Sequence, residues 1–147
     1  LPTYFVDVNI PMYAAGVDHP LKRPCAWFLE AIVEGSLSAA IDTEVVQEIL
    51  YRCGAINRRA LGARMARDTM AIIPTIYPIT SEDVSRAIGL SEEYGRQELP
   101  ARDCLHAAVM LGRGLSTILS TDRHFDGLIG ITRVDPAVLF REQGPGA

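Results

Sequence analysis

Four acidic residues, Asp7, Glu48, Asp103 and Asp122, are placed so that a folded chain could make them act together. Asp7 closes the strand-like run Tyr4-Phe5-Val6, and Asp122 follows Ile118-Leu119-Ser120-Thr121 at the end of a later run. In open α/β sheets ligands gather beyond the carboxyl ends of the strands, where both aspartates fall. An aspartate after a strand also serves as a turn-former or N-cap, so neither position is diagnostic alone. Glu48 lies on a helical pattern whose apolar face is Val45, Val46, Ile49, Leu50 and Cys53, and it falls at the border of that face. An ordinary surface pair with Arg52, four residues on, is the alternative reading. Glu44 is a weaker candidate, because the helix macrodipole accounts for an acid in a first turn.

Asp103 carries the sharpest argument. It opens a helix whose next eight residues, Cys104 to Leu111, are apolar on nearly every side except at His106. Such a helix is central. A carboxylate at its buried start is costly unless something compensates it, and a divalent metal would do so. The helix N-terminus and Arg102 are the simpler compensation. Three or four carboxylates from separate elements form an oxygen-only ligand set suited to Mg²⁺ or Mn²⁺. No imidazole or thiolate cluster lies near them in sequence, which disfavours zinc. The set suits phosphodiester hydrolysis, in which one or two metals, about 3.5 to 4 Å apart when paired, activate water and stabilise the leaving oxygen.

The elements that must position these acids read as alternating strands and helices. Strand signals occur at Tyr4 to Val6, Leu37 to Ile41, Ile76 to Ile79, Ser116 to Leu119 and, more weakly, Gly130 to Val134. Helical patterns run from Leu21 to Val33, Glu44 to Cys53, Ile56 to Met70, Glu82 to Glu93 and Arg102 to Gly112. Thr80 and Asp83 resemble a capping box, and Gly114 stands where a helix C-terminal glycine would. This order predicts an α/β fold: three layers, with a central, mostly parallel sheet of four or five strands joined by right-handed crossovers.

Length and composition bound the reading further. The 147 residues suffice for one domain, expected over residues 1–142, with a flexible tail from Gln143 to Ala147. Hydrophobic residues make up 48% and charged residues 22%, ordinary for a globular protein and unlike a disordered chain. The longest apolar stretch, Ala71 to Ile79, is broken by Pro74 and Pro78, too short for a membrane span. No basic, then apolar leader precedes Thr3, so no secretory signal is expected. Cys25, Cys53 and Cys104 form no CxxC pair and sit in apolar helical patterns, as expected of buried thiols in a reducing cytoplasm. A net charge of −4 argues against broad non-specific nucleic-acid binding but leaves room for a local basic rim.

With these residues in place, the chain resembles a PIN domain, and within that superfamily the VapC-type toxins of toxin-antitoxin pairs. Val6-Asp7-Val8-Asn9 resembles the opening D-x-N motif, and Thr43 to Leu50 resembles the segment whose glutamate, here Glu48, completes the acidic set. Ala101 to Ala108 and Leu119 to Asp126 resemble the two late motifs. Each motif is short, but all four occur in order over roughly residues 3 to 140. The resemblance implies metal ligation by Asp7, Glu48, Asp103 and Asp122, support from Asn9, and contact of Thr121 with water or phosphate. Asp126 is either a fifth acid at the rim or a loop anchor. It further implies Mg²⁺-dependent cleavage of RNA by water, a homodimer, and a cognate antitoxin that enters the active-site groove.

Arg52, Arg58, Arg59, Arg64 and Arg67 make the densest basic segment and are candidates to hold the RNA backbone, with a solvated helix face or dimer rim as the alternative. His106 reads as a hydrogen-bonded interior histidine rather than a general base. Trp27, Phe28 and Leu29 read as core or subunit contacts rather than base-stacking platforms. Among rival functions, a haloacid-dehalogenase-like phosphatase needs a second acid where this chain has Asn9. A nucleotide-binding module lacks its glycine-rich loop after a strand. A PIN-like domain that binds RNA or protein without cutting stays open.

Overall fold

The structure is a computed structural model and describes residues 2–147. Five strands, β1 (Thr3–Val6), β2 (Ser38–Asp42), β3 (Thr75–Tyr77), β4 (Thr117–Leu119) and β5 (Thr132–Val134), form one sheet in the order β3-β2-β1-β4-β5. Every neighbouring pair is parallel. The central strands are buried on both faces, as parallel strands covered by helices must be: Phe5, Val6, Ala39 to Ile41, Ile118 and Leu119 have essentially no exposed surface.

Among the described residues seven helices flank the sheet: α1 (Asn9–Ala15), α2 (Lys22–Glu34), α3 (Thr43–Ala55), α4 (Arg59–Ile72), α5 (Ser81–Glu93), α6 (Ala101–Gly112) and α7 (Pro136–Gln143). They pack in two groups, α1, α2, α3, α4 and α7 on the one hand and α5 with α6 on the other. The expected three-layer architecture is therefore the observed one. Gly62 lets α3 and α4 approach closely, since a Cβ there would stand 2.7 Å from Cys53 Cβ. Gly114 terminates the α6 region at φ +71°, the left-handed conformation the sequence predicts for it. The Thr80–Asp83 capping box is present in both directions, at 2.9 and 3.2 Å.

Two helices fall outside the sequence expectations. α1 spans only seven residues and carries Pro11 in its first turn, where a missing N–H costs nothing, so no long apolar period marks it. α7 has an aspartate cap and a first-turn proline, Asp135 accepting from Ala137 N–H at 2.8 Å ahead of Pro136, a start signal the sequence reading passed over. α7 also takes in Gln143, and Gly144 is buried with its N–H on Phe140 O at 2.8 Å. Among the described residues no helix is long and apolar enough to cross a membrane, and Cys25, Cys53 and Cys104 are free and buried.

The strand order places the site. From β1 the chain moves to one side through β2 and β3, then returns to the opposite side of β1 to lay down β4 and β5. Connections diverge at the carboxyl ends of β1 and β4, leaving a crevice there.

Candidate active site

Asp7 leaves β1 directly into that crevice. It is buried, and both its oxygens are held: Oδ1 accepts from Val8 N–H at 2.8 Å, and Oδ2 accepts from the Ser120 hydroxyl at 2.6 Å and from Asn9 Nδ2 at 3.1 Å. Ser120, just beyond β4, also receives Asp122 N–H at 2.9 Å, and Asn9 Oδ1 receives Thr121 N–H at 3.3 Å. The ends of β1 and β4 are thereby latched together through side chains. Ser120 is one cleft residue that the sequence reading missed. Its only signal was a small hydroxyl at the strand end beside Asp122.

Glu48, expected at a border, is buried, because α6 closes over it. Arg102 Nη1 lies 2.7 Å and Arg52 Nη2 2.8 Å from the same oxygen, Oε2. Burial pushes the Glu48 carboxyl up, but His106 and the two guanidinium groups outweigh it and bring it down to about 2. At 4.0 Å, His106 Nε2 acts on Glu48 Oε1 as a nearby charge rather than a hydrogen-bond donor. Both atoms are buried with no partner. The other ring nitrogen sits 2.8 Å from Asp42 Oδ2, while Asp42 Oδ1 caps α3 through Val45 N–H at 3.1 Å. Burial alone would lower the imidazole, but Asp42 overrides it and raises His106 above the usual histidine range. His106 is thus the interior, hydrogen-bonded histidine expected.

Asp103, the third residue of α6, is 4% exposed, and its Oδ2 has no hydrogen-bond partner. Burial, reinforced by the Asp7 carboxylate and then Asp122, pushes it up to about 7, with His106 and His124 offsetting part of the shift. Arg102 compensates Glu48 rather than Asp103. Asp122 is a third exposed, with His124 Nδ1 at 2.9 Å from its Oδ1 and 3.6 Å from Asp103 Oδ2.

The structure therefore brings all four sequence-predicted acids to one place. Asp7, Glu48, Asp103 and Asp122 line a cleft of about 210 Å³ together with Asn9, Arg52 and Arg102. It also adds imidazoles that sequence distance concealed. Ligand-capable atoms of Asp7, Glu48 and His106 lie within 4.8 Å of one another, as do those of Asp103, Asp122 and His124. The donor set fits a divalent cation: buried oxygens of Glu48 and Asp103 lack partners, and neighbouring carboxylates repel in a site that water reaches poorly. Thr121 lines the adjoining pocket rather than the acid cleft.

Asp126 stands apart, gripped by Arg133 at 2.7 and 3.2 Å, which is the loop-anchor alternative. Arg58 and Arg59 are exposed at the start of α4 and line neither pocket. Phe28 packs edge-on to Tyr4 in the core, and Trp27 packs on Phe140.

Comparison with known proteins agrees with this geometry. The PIN domain family model matches residues 4–129. Ribonuclease VapC13 of Mycobacterium tuberculosis is 38% identical over 129 residues, covering 88% of this chain and 97% of the relative. The fold is shared with VapBC2 of Rickettsia felis, solved on a promoter DNA fragment, at a TM-score of 0.71 and 17% identity over 90% of this chain and 98% of that one. It is shared equally with the sarcin-ricin-loop-cleaving toxin VapC20 of M. tuberculosis, at a TM-score of 0.70 and 13% identity, covering 88% and 98%.

Proposed function

This chain belongs to the PIN-domain family, among VapC-type proteins, and we propose that it is a Mg²⁺-dependent endoribonuclease, the toxin of a toxin-antitoxin pair. One observation carries the proposal: carboxylates from β1, α3, α6 and the end of β4 surround a single cleft, and two of their buried oxygens have no partner within the protein. The ribonuclease names of relatives at 38% identity supply the substrate class.

Asp7, Glu48, Asp103 and Asp122 would hold the cation, Mg²⁺ or Mn²⁺, through oxygen. When bound it supplies positive charge for activating water and stabilising the leaving oxygen. The chain's own residues do the positioning. Ser120 and Asn9 fix Asp7, Arg102 and Arg52 fix one oxygen of Glu48, and His106 holds the start of α3 through Asp42. The two arginines, each two-fifths exposed, also face outward to a phosphate. Arg58 and Arg59, exposed at the start of α4, would add contacts to the RNA backbone. An antitoxin would engage this groove with a cationic side chain, complementing the acids. The exposed apolar side chains Val84 and Ile88 on α5 suit a second copy in a homodimer.

The test incubates the purified chain with total cellular RNA in Mg²⁺ or EDTA and maps new ends, beside Asp7→Asn and Asp103→Asn variants. Ends that require Mg²⁺ and both aspartates are expected. Equal cutting by all three proteins overturns the proposal.

A further inference from the structure

A second, larger cavity of about 440 Å³ opens beside the acid cleft and shares Asn9, Arg52 and Asp122 with it as a common wall. Its volume lies in the range of small-molecule sites, roughly 300 to 1,000 Å³. Its far wall is different in kind. Tyr13 and His19 place their rings 4.8 Å apart at 34°, with the Met12 side chain beside them. This ring pair belongs to α1 and the turn after it, where Tyr13 is half-buried against the edge of the core and His19 is exposed.

Asn9, Arg52 and Asp122 of the shared wall are bonded within the protein, but several polar groups nearer the rings are not. His19 Nδ1 accepts Leu21 N–H at 3.1 Å, and among the described residues its Nε2 makes no hydrogen bond within the protein. Among the described residues, the Tyr13 and Thr121 hydroxyls also make no hydrogen bond within the protein. An aromatic platform, free donors and acceptors at its edge, and an arginine at its mouth match the requirements of an unpaired base: a π-face to stack on, edges to bond, and a phosphate to neutralise.

We propose that the Tyr13–His19 cavity is a base-binding subsite that takes one splayed-out, unpaired nucleobase of the RNA next to the phosphate held in the acid cleft. The inference rests on the nuclease reading for its substrate class. Because the two cavities share a wall, a chain with its phosphate at Arg52 directs the neighbouring nucleotide towards the rings. Tyr13 and His19 thereby position the nucleotide beside the cut.

Fluorescence anisotropy of short single-stranded RNAs tests it, comparing each of the four bases or an abasic residue at one position. Binding is measured to Asp103→Asn, and to that variant with Tyr13→Ala, Tyr13→Phe or His19→Ala added. Losing the stacked base or the Tyr13 ring is expected to weaken binding about tenfold, and the two losses together no further. Tyr13→Phe, which keeps the ring, retains most of the affinity, and exposed His19 gives a second probe should Tyr13→Ala fold poorly. Intact and abasic RNAs binding alike, or affinity unchanged in Tyr13→Ala and His19→Ala, overturns the subsite and leaves a partner protein's side chain as the cavity's occupant. Base-dependent binding without RNA cutting by the unmodified chain removes the nuclease reading and keeps the subsite. Cutting with base-independent binding does the reverse.

Discussion

Asp83 and Asp103 occupy the same position in two packed helices, the third residue of α5 and of α6, and both are almost fully buried. Their chemistry is opposite. Asp83 accepts Thr80 N–H and two arginines approach it, Arg113 in direct contact and Arg86 at 4.0 Å. The Arg113 bond, against the cost of burial and with help from Thr80, holds its carboxyl down at about 2. Asp103 has an orphaned oxygen and faces Asp7 and Asp122, and it is pushed up to about 7. Helix position and surface exposure are matched, so the difference lies in how deeply each carboxylate is embedded and in what surrounds it: Asp103 is pushed up first by burial and then by neighbouring carboxylates, while the Arg113 bond outweighs burial at Asp83. One is complete within the fold, and the other is completed only by something the fold does not supply.

Exchanging each acid for its amide should separate the two roles. Asp103→Asn should lower RNA cutting about a thousandfold, as expected for a lost metal ligand. The metal-free protein should at the same time become about 1 kcal/mol more stable, because like charges no longer crowd the cleft. Urea denaturation in chelator reads the stability and end-mapping reads the cutting. A destabilised Asp103→Asn would mean that the carboxylate is structural after all. Asp83→Asn should show the reverse pattern, losing about 3 kcal/mol, or roughly 10 °C in Tm, while each folded molecule cuts RNA at the normal rate.

Divalent cation sharpens the contrast. At about 100 times Kd it should stabilise the parent and Asp83→Asn alike by roughly 2.7 kcal/mol, and Asp103→Asn far less. Thermal melts with and without Mg²⁺ measure the increment.

Acid should act on Asp83 as it does on Glu48, both held at about 2, and the Asp83→Asn variant isolates the share of Asp83. Its folded pKa lies below the unfolded value, so its contribution, about 2 kcal/mol, is complete above about pH 4 and is lost as pH falls towards 2. In chelator, the gap in urea midpoint between parent and Asp83→Asn should close over that window. A gap independent of pH would detach Asp83's stability from its charge. The smallest effect concerns the arginines outside the cleft. Arg58→Ala and Arg59→Ala should each leave the cutting rate at low salt nearly unchanged and reduce the salt slope of RNA binding by about 0.7.

Both members of this pair were readable in the sequence for physical reasons. Thr80 and Asp83 have capping-box spacing, which is local, and Asp103 precedes an apolar run that must be central. Asp7, Asp103 and Asp122 were legible because strand ends and helix starts are predictable, Glu48 because it borders an apolar helical face, and a parallel sheet collects them at one edge. What escaped depends on contacts between distant residues. Arg102 turned out to hold Glu48 of another helix, Asp42 and His106 meet across 64 positions, and Ser120 latches Asp7 across 113. No period or motif encodes such pairs. His124 illustrates the same limit: it joins Asp103 and Asp122 only after folding, so the absence of nearby imidazoles in sequence said little about ligands in space. α1 escaped because seven residues are too few to display a helical period, and the Tyr13–His19 cavity wall escaped with it.

The central claim is that the cleft acids await a divalent cation, and titration calorimetry with Mn²⁺ and no RNA tests it most directly. Binding is expected in the parent and in Asp83→Asn with equal affinity, and at least about tenfold weaker in Asp103→Asn. Identical isotherms for the parent and Asp103→Asn, or no heat of binding in the parent at all, would contradict it.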